Sequence, residues 1–244
     1  MDPGPALVYP FSLFFGTGYA ESLALLGTVA AFLYARRRIW LLAGIAVAVA
    51  LLAKVVFIVL LVPLTVEWLG WDPAAEPRRV RRTPVGLAAL WMPPLLALGA
   101  WMAYLGRAFG DPLRFLAAQK LWGRSLGLPA QQVGMIFDSH VNSGIRAINA
   151  LDLAAVVLLL VMAVYAFRHL RASYGVLLGV FVVIFAFNTS LESNGRHLSV
   201  LFPIFLGLAH WTEGRTWVRV VLVVVQLPVA ALLVARFATG HWAG

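Results

Sequence analysis

The chain has no cysteine, which excludes a disulfide framework and any thiolate metal site. Charge is scarce as well. Charged residues make up 12% of the sequence, about half the share of a soluble domain. Acidic residues are the fewest, ten against nineteen Lys and Arg, which leaves a formal charge of +9. Such a balance can mark a nucleic-acid binder, but here the bases form no single polar face. They stand in short groups at the ends of apolar runs, where membrane proteins keep them, so nucleic acid is not an expected partner. Alternation is missing too. No series of roughly ten-residue segments switches between apolar and polar, as the strands of a membrane barrel must. The opening Met1-Asp2-Pro3-Gly4-Pro5 lacks the basic stretch that begins a signal peptide.

What the chain has in abundance is apolar sequence. Hydrophobic residues make up 62% of it and fall into long runs, such as 153–167, 176–187 and 218–227, each bounded by Arg groups, Gly or Pro. None of these runs carries the polar stripe that a helix on a water-soluble fold needs. The expected fold class is all-α: a polytopic transmembrane helical bundle of about eight membrane helices, some short, forming one membrane domain over residues 1–244.

Four basic groups set the expected threading: Arg36-Arg37-Arg38; Arg78, Arg79, Arg81 and Arg82; Arg168 with Arg171; and Arg215 with Arg219. If all four face the cytoplasm, residues 39–69 must leave and return within 31 residues. That allows two helices of about 15 residues, roughly 22 Å each, short of a hydrocarbon core of about 30 Å. The alternative, one long helix, would put two Arg groups on opposite sides, so a hairpin is expected, with Lys54 near its tip and recessed below the outer surface. The spans 19–35, 85–104, 150–167, 174–189, 198–211 and 217–237 then alternate in direction. Residues 106–148 become a long outer loop. Within it Asp111 and Pro112 precede Leu113, Phe115, Leu116, Leu121 and Trp122, which cluster at helical spacing. An amphipathic interfacial helix capped by Asp111 is expected, either resting on the surface or serving as a lid over a lipid-facing site.

Polar groups in or at the lip of membrane helices are costly, so each invites a reason. Glu21 opens an apolar run, where the helix dipole alone favours a carboxylate. Lys54 either snorkels, attracts a phosphate, or pairs with Glu21. The turn Glu192-Ser193-Asn194-Gly195-Arg196-His197 is the densest polar cluster in a short outer connection. Arg196 there could grip phosphate oxygens with its rigid fork of donors, or simply pair with Glu192. The spacing of Gly175 and Gly179 suits helix packing. The five His form no i, i+4 pair and no cluster with carboxylates, so neither a metal site nor a cofactor is expected.

Three sets of residues follow one another along the chain. First come Tyr9-Pro10, Phe14-Phe15 and Tyr19-Ala20-Glu21-Ser22-Leu23. Next are Gly110-Asp111-Pro112-Leu113, Phe115-Leu116, Gln119 and Trp122-Gly123-Arg124, and last Arg196-His197-Leu198 with Leu201-Phe202-Pro203. In this order they resemble stretches of the bacterial mannosyltransferases related to PIG-V, the second mannosyltransferase of GPI-anchor assembly. The resemblance implies a C-type glycosyltransferase, multi-pass in the cell membrane, of bacteria the cytoplasmic membrane. Such enzymes move a sugar from a polyprenyl-phosphate donor to a lipid or protein acceptor on the non-cytoplasmic face, among membrane lipids. On that reading Arg196, Lys54 and Arg124 are the candidates to hold the donor phosphate, supported by Tyr19, Asp111, Gln119, Trp122, Glu192 and His197. The sequence departs from the family at two places. His197 stands where a Tyr is usual, and Ala53-Lys54-Val55-Val56 where an Arg-Pro-Thr-Gly-like turn is common.

The family's catalytic carboxylate falls in an earlier outer loop. The resemblance therefore implies that this chain is the C-terminal part of a longer protein and by itself lacks the catalytic base, with Glu21 as the fallback. Two other expectations stand beside it: a transporter or channel-like membrane subunit, and a non-catalytic remnant of the family. Transporters favour internal repeats around a midplane site, and no repeat relates the two halves here.

Overall fold

The computed structural model describes residues 9–71, 83–121, 127–128, 143–188 and 193–241. Among them there is no β-strand. A 3₁₀ turn, Pro10–Phe15, leads into α1 (Glu21–Arg36) and α2 (Trp40–Ala53). A second 3₁₀ segment, Val55–Leu60, runs directly into α3 (Leu61–Leu69). Then come α4 (Pro84–Phe109), α5 (Arg114–Leu121), α6 (Ser143–His169), α7 (Ala172–Ala186), the single turn α8 (Asn194–Leu198), α9 (Phe202–Trp211) and α10 (Thr216–Ala238).

Three of these helices, α4, α6 and α10, are long and apolar enough to cross a membrane, and α2, α3 with its 3₁₀ lead, α7 and α9 are shorter apolar helices. Their outward faces carry large apolar side chains: Leu23, Leu26 and Val29 on α1, Leu160, Val161 and Val164 on α6, Val220, Val221 and Val224 on α10. Exposing such continuous surface to water would oppose folding at about 25 cal/mol per Å². Hydrocarbon removes that penalty. The chain is a helical membrane protein.

Contacts at the two ends of α1 fix the direction of its neighbours. At its start, Lys54 Nζ donates to Glu21 Oε1 at 2.6 Å. At its finish, Arg36 Nη1 donates to the Tyr174 hydroxyl at 3.3 Å. Beside that hydroxyl, Ser173 Oγ donates to Glu67 Oε1 at 2.6 Å and Arg171 Nη1 approaches Glu67 Oε2 at 3.4 Å. The chain therefore leaves the Arg36 end through α2, reaches the Glu21 end at Lys54, and is back by Glu67. This is the out-and-back path expected of residues 39–69.

The reversal is local. Lys54 is extended at φ −151°, ψ 117°; its amide donates to the Ala50 carbonyl, and its own carbonyl accepts from Phe57 N–H. The following Val55, Val56, Ile58 and Val59 are β-branched, which disfavours re-entry into an α-helix and suits a tighter 3₁₀ turn.

The remaining helices follow the same two ends. Helix α6 passes from Asp152, bonded to Gly195, down to Tyr165, bonded to His210. Helix α7 rises from Tyr174 to Phe185, whose ring stands 5.9 Å from His197. Helix α10 begins with Arg219 donating to Thr212 and ends with Phe237 against Phe14 and Tyr19. Arg36–38, Arg168 with Arg171, and Arg215 with Arg219 thus share one end, opposite Glu21, Lys54 and Arg196. The fourth basic group, Arg78, Arg79, Arg81 and Arg82, lies outside the described residues.

Glycines set the closest helix crossings. A Cβ on Gly27 would stand 2.8 Å from the Ala46 carbonyl oxygen, and one on Gly44 2.6 Å from that of Ala89. Backbone cannot step aside as a side chain can, so α1, α2 and α4 touch where only hydrogen fits. Gly44→Leu should therefore cost about 1–3 kcal/mol by overpacking. Gly99→Leu, with open space around its position, should cost almost nothing. Reversible unfolding in SDS would measure both. Gly175, expected to serve packing, lies under the Phe167 ring of α6: a Cβ there would stand 2.6 Å from the ring, and one on Gly179 3.6 Å from it.

Two helices run past their apolar spans. Helix α4 continues beyond Tyr104 to Phe109, where Gly110 at φ +74° stops it. Helix α6 starts at Ser143, ahead of Ala150, because residues 143–149 mix polar Ser, Arg and Asn with Ile and Ala that a helix accepts. Pro93 and Pro94 sit inside α4 without ending it, as membrane helices tolerate. In the α4–α5 corner, Asp111 Oδ1 accepts from Leu113 N–H at 2.8 Å, closing a turn just ahead of α5. Leu113 and Leu116 are exposed there.

Candidate functional site

Glu21 is completely buried at the start of α1. One of its oxygens, Oε1, takes Lys54 Nζ at 2.6 Å and stands 3.1 Å from Arg196 Nε. The second distance is a close ionic contact rather than an aligned hydrogen bond. Lys54 is 17% exposed and Arg196 11%, so the cations form the lip and the carboxylate the floor beneath them. A buried ion pair survives only when its geometry offsets desolvation, and here two cations share one anion. Lys54 Nζ also lies 3.2 Å from His197 Nδ1. An ammonium offers only donors, so the imidazole accepts at Nδ1 and carries its proton on Nε2.

Two aromatic rings flank the guanidinium. Arg196 Cζ lies 5.1 Å from the ring centres of both Phe14 and Tyr19, which meet each other edge-on at 5.1 Å. Desolvated cation–π contacts of this kind are worth about 1–2 kcal/mol each. Phe237, near the end of α10, leans on both rings at 6.0 and 6.4 Å. Distant parts of the chain therefore orient one planar cation.

Arg196 and His197 ride on the short turn α8, which is tied down from two other elements. Gly195 N–H donates to Asp152 Oδ1 at 2.6 Å, and the Gly195 carbonyl accepts from the Tyr9 hydroxyl at 2.8 Å. Burial, and then the Asp152 carboxylate, push the Tyr9 phenol above its ordinary value, so it stays protonated as the donor. Ser193, just before α8, is left-handed at φ +66°, a conformation that costs a non-glycine residue on the order of 1 kcal/mol and recurs at functional sites. Buried polar atoms without a hydrogen-bond partner gather at this end: Thr17 Oγ1, Glu21 Oε2, Ser193 Oγ and Asn194 Nδ2. Such atoms are rare in folded proteins and mark places where water or a ligand's polar groups fit.

No family model, curated protein or solved structure matches the chain.

Of the residues singled out from the sequence, Glu21, Lys54, Arg196, His197 and Tyr19 come together here. Glu21 meets the helix dipole at the first position of α1, and its side-chain partners are the two cations. Asp111 caps its own corner and Gln119 is exposed on α5, and neither is among the residues that meet Glu21. Trp122, Arg124 and Glu192, with the expected Glu192–Arg196 pair, lie outside the described residues. Among the described residues no three His, Asp or Glu side chains gather as they would around a metal ion. Sequence reasoning missed Tyr9, Phe14 and Phe237 as parts of the site, and gave Asp152 no role. Asp152 had a signal, since it is a carboxylate in a helix stretch that is otherwise apolar from Leu151 to Phe167.

Proposed function

We propose that this chain is the membrane region of a glycosyltransferase, mannosyltransferase-like, that takes its sugar from a polyprenyl-phosphate donor on the non-cytoplasmic face of the cell membrane. Lys54 and Arg196 hold the donor phosphate, and Glu21 fixes them in place. One observation carries this: two cations from distant parts of the chain converge on one buried carboxylate, partly exposed, at the bundle end opposite the basic groups. The phosphate group matches that lip. It is anionic, it offers several oxygens to a guanidinium fork, and its lipid tail suits the apolar surroundings. The orphaned polar atoms nearby suit a ligand rich in hydroxyls.

In this scheme an acceptor hydroxyl attacks the anomeric carbon, its new C–O bond forming as the bond to the donor phosphate breaks. The phosphate leaves with the electron pair, and Lys54 and Arg196 stabilise the charge that develops on it. The acceptor's proton goes to a base. Glu21 is the fallback for that role, through Oε2, because Oε1 is committed to the cations.

The shorter helices enter or cross the bilayer together with α4, α6 and α10, making about eight passes, with the basic end cytoplasmic. The absence of native cysteine makes orientation easy to test. Leu113→Cys, in the α4–α5 corner, should react with an impermeant thiol reagent added outside intact cells. Glu213→Cys, in the α9–α10 turn, should react only after permeabilisation. The reverse pattern would invert the topology and remove the donor face from the outside.

The donor site itself is tested with a polyprenyl-phosphate mannose bearing a diazirine on the sugar, supplied to the protein in nanodiscs. Crosslinks should map to peptides carrying Phe11 to Tyr19, Lys54 and Asn194 to Leu198, and excess polyprenyl phosphate should remove them. Labelling spread along α1 and α10 and indifferent to competitor would defeat the proposal.

A further inference from the structure

We infer that Asp152 and Tyr9 are positioning residues, clamping Gly195 so that Arg196 and His197 stand where they meet Glu21 and Lys54. The inference rests on the phosphate-site reading only for its ligand-binding test. The clamp has three points of contact on one residue. Asp152 Oδ1 takes the Gly195 amide at 2.6 Å, and the Tyr9 hydroxyl donates to the Gly195 carbonyl at 2.8 Å. The Phe11 ring fills the place of a Cβ, which would lie 2.3 Å from its Cε2 atom. A five-residue turn cannot hold its own shape, because helix nucleation costs more than so short a segment returns. The geometry of α8 is therefore imposed from outside, by α6 and by Tyr9 and Phe11 at the start of the first 3₁₀ turn.

Asp152 is fully buried at the start of the apolar stretch of α6. A carboxylate is an expensive way to fill such a place unless its bonds are needed. Its bond to the Gly195 amide lies one residue before the guanidinium that reaches Glu21, so a small shift there moves Arg196 Nε out of its 3.1 Å contact. Tyr9 adds the second hold and belongs to the same aromatic group as Phe11, its ring 5.7 Å away.

Two measurements on the full chain in nanodiscs judge the clamp. In the first, a thiol placed at position 197 by His197→Cys reports the local field, since the sequence holds no other cysteine. Its reaction rate with an anionic methanethiosulfonate, divided by that with a neutral one of similar size, should be well above one because Lys54 and Arg196 flank it. Asp152→Leu should cut that ratio at least fivefold and Tyr9→Phe about threefold, while Asp152→Asn, which keeps an acceptor for the amide, should preserve it. An unchanged ratio in both Asp152→Leu and Tyr9→Phe overturns the clamp, and so does an Asp152→Asn loss equal to that of Asp152→Leu. Where Asp152→Leu does not fold, Tyr9→Phe and Asp152→Asn decide alone.

In the second measurement, polyprenyl phosphate is titrated into the same variants with His197 restored. Asp152→Leu should weaken binding about tenfold, and should add nothing once Arg196→Ala is present. Additive losses would show that Asp152 acts elsewhere and overturn the clamp. If the wild-type chain binds no polyprenyl phosphate, the phosphate reading fails by itself, and the thiol ratio still decides the clamp.

Discussion

Glu21→Ala should destabilise the bundle by about 3–5 kcal/mol, the largest single effect expected of any residue at this site. The substitution leaves Lys54 and Arg196 facing one another at the lip with no anion between them. Both are mostly buried, so water cannot fully replace the lost carboxylate. Removing one partner of a buried ion pair costs more than the pair is worth, because the remaining charge stays desolvated. A compensating change should show this. Glu21→Leu combined with Lys54→Met removes one charge of each sign and keeps apolar volume, so it should recover a large part of the loss. Reversible SDS unfolding reads both variants. A cost below about 1 kcal/mol for Glu21→Ala would mean that the three charges are solvated and do not form the cluster.

Arg196→Ala should weaken the binding of polyprenyl phosphate by about 10- to 100-fold. A hydrogen bond to a charged group contributes about 1.5–3 kcal/mol, and each 1.4 kcal/mol is tenfold in affinity. Arg196→Lys should recover only part of this, for two separate reasons. A lysine ammonium cannot present two parallel donors to a phosphate. It also lacks the planar group that packs beside Phe14 and Tyr19, each 5.1 Å away. Tyr19→Ala should therefore reproduce some of the loss with the guanidinium still present. Equal affinities for wild type, Arg196→Ala and Arg196→Lys in equilibrium titrations would leave Arg196 as a structural residue of the α8 turn.

The parts of this molecule legible in its sequence are those set by charge against hydrocarbon. With Arg36–38 before it and Arg78–82 after it on one side of the membrane, the stretch 39–69 takes an out-and-back path. Lys54 falls at the middle of that path, and pairing with Glu21 was among the roles open to it. The contacts at Arg36, Lys54 and Glu67 agree. Hydropathy reports where a chain meets lipid and says little about where a helix begins. Helix α6 accordingly starts seven residues ahead of its expected span, at Ser143 instead of Ala150, and α4 runs on to Phe109.

The site was half legible for a related reason. A cation in an apolar run stands out, so Lys54 could be found, and Arg196 stood out in the polar turn before α9. The clamp on Gly195 could not, because a glycine's need for space depends on a ring 184 positions earlier in the chain, Phe11. Phe237 likewise joins Phe14 and Tyr19 only through the return of α10 to the Glu21 end. Nothing in the local spacing of these aromatics distinguishes them from the many that face lipid.

If Lys54 and Arg196 bind a lipid-borne phosphate, the protein in nanodiscs should tell polyprenyl phosphate from the uncharged polyprenol of equal length when each is titrated in. The site predicts at least tenfold tighter binding of the phosphate. That preference should collapse in Lys54→Ala and in Arg196→Ala, and weaken as salt rises. Equal binding of the two lipids by the wild-type chain, or a preference that survives both substitutions, would contradict it.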